Sequence, residues 1–173
     1  MDSATLKSQQ APFKEHYRTA PQAAAITLHA QGRLGEGVTC SVVTGKAMVA
    51  AGLHPATGGD GLSACSGDML LQALVACAGV TLSAVATALD LKIRDATIKA
   101  EGDLDFRGTL GVAKDAPVGF KAIRLNFAID GDLTDEQRAT LMKLSERYCV
   151  VYQTLKAPPG IAVTSNWVSD TGV

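Results

Sequence analysis

Residues 66–90 read SGDMLLQALVACAGVTLSAVATALD, and no residue between Asp68 and Asp90 is charged. A helix through this run is long enough to cross a bilayer, for which about 20 apolar residues suffice. The composition argues against that reading. Gln72, Thr81, Ser83 and Thr87 interrupt the run, Ala and Gly fill much of the rest, and the flanking chain alternates as a soluble domain does. A helix apolar nearly all round is also what the centre of a globular fold requires. Ser66 offers a side-chain oxygen as N-cap, and Asp68 places negative charge in the first turn, where the helix dipole favours it. The helix is expected to be buried and to end near Asp90.

Working outward from this helix, HPATGGDG (54–61) is a loop. Before it, AITLHAQG (25–32), a turn near Gly32 to Gly37, VTCSVVTG (38–45) and KAMVAAG (46–52) read as a meander of short strands. Gly35 and Gly37 suit the turn because glycine accepts positive φ. After the helix come the strand ATIKAEGDLDF (96–106), the loop GTLGVAKDAPVGF (108–120), and the alternation of Ile123, Leu125, Phe127 and Ile129, which predicts a strand with one buried face. Thr134, with Gln137 three residues on, fits a capping box for a second helix whose apolar stripe is Leu141, Leu144 and Tyr148. Pro158 and Pro159 end the helical region, and GIAVTSNWV (160–168) closes as a strand.

At the other end, residues 5–18 read as a short amphipathic helix broken by Pro12 and set apart by Pro21. Residues 1–22 are thus expected to be a helical extension, and 23–173 a single domain. The order strands, helix, strands, helix, strand gives an α+β fold with largely antiparallel sheets around a long central helix.

With 16 basic and 17 acidic residues and no clustered cations, the chain lacks the charge pattern of a nucleic-acid-binding surface. The first twenty residues contain no apolar signal core, so a cytoplasmic location is expected and a membrane partner is not. The cysteines at 40, 65, 77 and 149 show no CxxC spacing, and in a reducing compartment they are free or catalytic rather than structural. His16, His29 and His54 are scattered and indicate no metal site. No Gly-rich phosphate loop or Ser/His/Asp motif is present, and no cofactor is called for.

Each candidate residue has two readings at this point. Cys77, in the middle of the apolar helix, is either a small hydrophobe or a nucleophile. The second role needs a thiolate, which burial opposes unless a cation sits beside it. The helix supplies none, so a distant residue must, and arginine suits because it stays charged. Cys149, on the polar–apolar border of the second helix, is either core packing or a redox partner. The two can bond only if their Cα atoms come within about 7 Å. Arg33 reads as an exposed turn residue. Asp68 either stabilises its helix by about 0.3–1 kcal/mol or acts on Cys77 through a bridging arginine, since it lies ~13.5 Å away along the axis. Cys40, which alternates with Val38 and Val42, and Cys65, just before the helix, are read as structural.

LVACAGVTL around Cys77, EGDLDFRGTLGV (101–112), SERYCVVYQTL around Cys149, and the leading QAPFKEHYRTAPQAA (10–24) together resemble the osmotically inducible protein C (OsmC) and organic hydroperoxide resistance superfamily, over about residues 6 to 168. The resemblance implies an intertwined homodimer with the long helix buried and the active sites at the interface. It implies a thiol-dependent peroxidase for organic hydroperoxides in oxidative stress defence, with Cys77 attacking, Cys149 resolving, Arg33 holding the thiolate, and a dithiol of the lipoyl type as reductant. The peroxidase branch carries a Glu ten residues before the attacking cysteine; here that position is Gly67, and Asp68 is the nearest acid. This departure points to the alternative, a non-peroxidase relative that binds or modifies another small apolar or thiol-reactive ligand.

Overall fold

The computed structural model describes residues 3–34, 40–42, 51–62 and 64–165. Its frame is a four-stranded antiparallel sheet in the order β2-β1-β5-β6, built from β1 (Ala25–Leu34), β2 (Cys40–Val42), β5 (Asp95–Asp105) and β6 (Ala122–Asp130). Strand alternation decides which face is covered. Along β5, Ala96, Ile98, Ala100 and Leu104 are buried, and they pair with Ile129, Phe127, Leu125 and, on β1, Ile26. The expected inward face of β6 is therefore the one that joins the core. On the other face, Arg124 bonds the carboxylates of Glu101 and Asp103, so solvent and ion pairs cover it.

The long helix, α2 (Ser66–Ala88), lies across this sheet and buries Leu71, Leu74, Val75, Ala78, Leu82, Val85 and Ala86. It is long and apolar enough to span a membrane, yet one whole side of it packs into its own fold. Ser66 is its first helical residue rather than its cap: Cys65 holds the N-cap position and makes no side-chain cap bond. The helix stops in a Schellman arrangement, with Leu91 N–H bonding Ala86 O, Asp90 N–H bonding Thr87 O, and Asp90 at φ 49. Its burial is one-sided. Met69, Leu70 and Val80 are each 38% exposed, and Ala73 and Ala84 are open beside them.

Besides that cap, four stretches of the chain depart from expectation. The turn was expected from Gly32, but β1 runs to Leu34, with Gly32 and Arg33 paired to β2 on one side and β5 on the other. A central strand satisfies both edges of its backbone, which offsets the poor strand preference of glycine. The rest of the expected meander, 35–39 and 43–50, lies outside the described residues; after it, β3 (Ala51–Gly52) pairs in parallel with β4 (Ala64–Cys65). Pro12 does not break the first helix, since α1 continues from Ser3 to Thr19. The carbonyl that Pro12 leaves free belongs to Ser8, an exposed position where water can bond it. The loop after β5 contains a single helical turn, α3 (Phe106–Thr109), whose start is capped by Asp105.

The fourth correction is at the C-terminal end. Thr134 and Gln137 form the expected capping box at the start of α4 (Asp135–Tyr148). The buried stripe, however, is Leu141, Ser145 and Cys149, with Tyr148 57% exposed. The helical region is also two helices, because the chain breaks at Cys149 and restarts as α5 (Val150–Lys156). Residues 160–165 have no regular structure, and Ile161 and Val163 are 86% and 89% exposed. The expected closing strand is thus not formed in its described part, since a strand needs a partner edge and none is paired to it. At the other end of the chain, α1 is tied to the body by Tyr17, which is buried and donates its hydroxyl to Ala56 O at 2.6 Å.

Candidate active site: two thiols at a helix elbow

The elbow between α4 and α5 is a local consequence of Cys149. Its φ of −72° is still helical, and its N–H still bonds Ser145 O at 3.1 Å, but its ψ of 105° turns the chain out of the helix. The turn frees Glu146 O, which accepts instead from Gln153 Nε2 at 2.7 Å, while the Tyr152 hydroxyl donates to the Glu146 carboxylate at 3.2 Å. Gln153 N–H closes the first turn of α5 on Cys149 O at 2.9 Å.

Breaking a helix leaves backbone N–H groups at the new start without acceptors inside it. At this elbow two of them, from Val150 and Val151, face the Cys77 sulfur of α2. The Thr81 hydroxyl, one turn along α2, and the Cys149 thiol complete the donors around it. Cys77 is half-buried and Cys149 buried, and both are free thiols. The structure therefore brings Cys77 and Cys149 together, although they are far apart in sequence, so that each shifts the ionisation of the other.

These surroundings drive the two thiols apart. Burial pushes the Cys77 thiol up, but the Val151 N–H, the Cys149 thiol, the Thr81 hydroxyl and the Val150 N–H outweigh it and hold the group below its ordinary value. Burial also pushes Cys149 up, to about 11. The Tyr152 and Val151 N–H groups work against this only partly and make no full cap bond to the sulfur, while the interaction with Cys77 and its negative charge add to the rise. The pair is thus arranged so that Cys77 ionises before Cys149, which keeps its proton.

Asp68 is half-buried in the first turn of α2, more than two turns from Cys77, and is not brought to the cysteines. The backbone of Arg33 is in β1, opposite Ser41 and Thr97, and its side chain lies outside the described residues. Cys65 sits at the N-cap of α2 and Cys40 opens β2. Sequence reasoning looked for a cation and missed the neutral donors. Thr81 was legible as the residue four positions after Cys77, whereas Val150 and Val151 act through backbone that leaves no mark in the sequence. Beside the elbow, a groove of about 530 Å³ runs between β6 and the helix pair, lined by Leu74, Phe120, Ile123, Phe127, Met142 and Tyr152.

Residues 58–164, a span that includes both thiols and the elbow, match the family of OsmC-like proteins. The chain belongs to the OsmC-like family. Its fold agrees with that of an OsmC-like hydroperoxide resistance protein from Jannaschia sp. CCS1, which is 18% identical with a TM-score of 0.58 over 86% of this chain and 97% of that one. No curated protein matches this OsmC-like chain.

Proposed function

We propose that this OsmC-like protein is a thiol-dependent peroxidase that reduces organic hydroperoxides through Cys77 and Cys149. The observation that carries the proposal is the pairing of a donor-held Cys77 sulfur with a protonated, buried Cys149. A thiolate is the reactive form of cysteine. In the first step the Cys77 thiolate attacks the distal peroxide oxygen, the O–O bond breaks, and the leaving alkoxide takes a proton from solvent to become an alcohol. Cys77 is then a sulfenic acid. In the second step the Cys149 sulfur attacks the Cys77 sulfur, the S–S bond forms, and the S–O bond breaks with loss of water. This protects Cys77 from irreversible oxidation. A dithiol of the lipoyl type returns the pair to the reduced state.

Within this reading Arg33 holds the charge of the reacting Cys77 and Asp68 positions Arg33. The enzyme works in the cytoplasm as a homodimer. Support for a second copy comes from the open apolar stripe of Met69, Leu70, Ala73, Val80 and Ala84, which borders Cys77 on α2. An apolar stripe on a central helix is a surface for association. The groove beside the elbow is suited to the apolar part of an organic hydroperoxide.

The test is consumption of cumene hydroperoxide with dihydrolipoamide as reductant. Cys77→Ser should abolish it, and Cys149→Ser should permit one turnover. Normal cycling of the Cys149→Ser protein would overturn the resolving role. Gly67, where the peroxidase branch has Glu, favours the second reading, binding of another apolar or thiol-reactive ligand. That reading gains if Cys77 alkylates readily but no hydroperoxide oxidises it.

A further inference from the structure

Ser145 is only 2% exposed, and its hydroxyl is the one buried side-chain oxygen or nitrogen among the described residues that has no hydrogen-bond partner. A serine inside a helix usually satisfies its hydroxyl on the carbonyl a turn earlier. This one does not. Leaving a buried donor unpaired costs stability, and alanine in its place would carry no such penalty and has the better helix preference. The position therefore asks for a reason other than packing.

Its neighbours supply one. Ser145 lies between Leu141 and Cys149 on the single buried stripe of α4, pressed on the helix that carries Cys77. Residues four apart on a helix are surface neighbours, and a helical side chain leans over the preceding turn. Because the φ of Cys149 is helical, its Cβ leaves the backbone in that same direction, toward Ser145. In the resting pair the Cys149 thiol is a donor, so its sulfur has little need of another. When Cys149 gives up its proton to attack, the need reverses, and the hydroxyl one turn away has no competing bond to break.

We infer that Ser145 is the hydrogen-bond donor for the resolving step, turning its free hydroxyl onto the Cys149 sulfur as negative charge develops there. The inference rests on the two-thiol reading but not on peroxide as the oxidant. It deepens that reading by giving the second sulfur its own support, as Thr81 and the α5 backbone support the first. Attack on the sulfenic acid at Cys77 yields the disulfide and water, the thiol proton leaving with the hydroxyl. Attack on any mixed disulfide at Cys77 follows the same path, the outgoing thiolate taking the place of water.

The second form allows a test without peroxide. With Cys40 and Cys65 replaced by Ser, Ellman's reagent reacts at Cys77, its S–S bond breaks and one thionitrobenzoate leaves. Cys149 then attacks the mixed disulfide and releases a second. Ser145→Ala should leave the first phase unchanged and slow the second about tenfold, as expected for losing a bond to a developing charge. Ser145→Thr should restore the second phase to within about threefold of wild type, since it keeps the hydroxyl. The Tm of the reduced Ser145→Ala protein should meanwhile rise by about 2–5 °C, the opposite of what a structural bond would give. Equal second-phase rates in wild type and Ser145→Ala would overturn the inference, as would absence of the second equivalent from wild type. If wild type shows both phases but no reaction with hydroperoxides, the peroxidase reading fails while the role of Ser145 stands.

Discussion

Replacing Thr81 by Val removes one donor from the Cys77 sulfur and little else, because the two side chains are nearly the same size. The remaining donors are backbone groups of α5, which no substitution removes, and the Cys149 thiol, whose replacement also removes the second sulfur of the pair. A hydrogen bond to a charged group contributes about 1.5–3 kcal/mol, and sulfur is a weak acceptor, so about 1.4 kcal/mol is a fair allowance. That moves the midpoint of Cys77 ionisation up by about one pH unit. Below both midpoints the thiolate fraction falls about tenfold. A more basic thiolate is also a better nucleophile, with a Brønsted slope of about 0.4–0.5, which returns a factor of about three. The net expectation is a loss of roughly three- to fourfold at low pH and a gain of about threefold at high pH, so the two rate profiles cross. The assay is the second-order rate of Cys77 oxidation or alkylation from pH 4 to 11, with thiolate absorbance near 240 nm followed in parallel. Superimposable profiles would show that the hydroxyl does not bond the thiolate. A uniform loss at every pH would show damage to access rather than to ionisation.

Three further outcomes follow from the same structure. Thr134→Ala should lower stability by about 1 kcal/mol in urea titration, since it removes half of a reciprocal capping box at the start of α4. Val80→Glu, on the open stripe of α2, should convert a dimer into a species near the chain mass of 17.9 kDa by light scattering, and a monomeric wild type would contradict the proposed assembly. Cys149 keeps its proton more tightly folded than unfolded, so its contribution to stability is full below the unfolded midpoint and is lost between about pH 9 and 11. The alkaline fall in Tm should therefore be shallower in Cys149→Ala, and an identical fall would mean that Cys149 is not shifted.

Patterning made the frame of the fold legible. The uncharged run from Met69 fixed a central helix, the alternation from Ile123 to Ile129 fixed the inward face of β6, and Thr134 with Gln137 marked the start of α4. The elbow was not legible, because Val150, Val151 and Tyr152 read as a continuation of the helix and nothing around Cys149 in the sequence marks its non-helical ψ. Missing the break moved the apolar stripe from Leu141, Ser145 and Cys149 to Leu141, Leu144 and Tyr148. It also left Cys149 on a border where the structure buries it. The two cysteines themselves were legible from their motifs, but their approach, and the neutral donors beside Cys77, depend on three elements meeting at one point. For Arg33 the sequence reading stands as a proposal, since its strand is placed and its side chain lies outside the described residues.

Cys77 and Cys149 are proposed to act as one redox pair toward organic hydroperoxides. Intact mass spectrometry after one equivalent of cumene hydroperoxide measures this directly, with peptide mapping to locate the change. Wild type should rapidly lose two hydrogens, with Cys77 joined to Cys149, and Cys149→Ser should gain one oxygen or more at Cys77. An unchanged mass, or oxidation falling on Cys40 or Cys65 while Cys77 stays reduced, would contradict it.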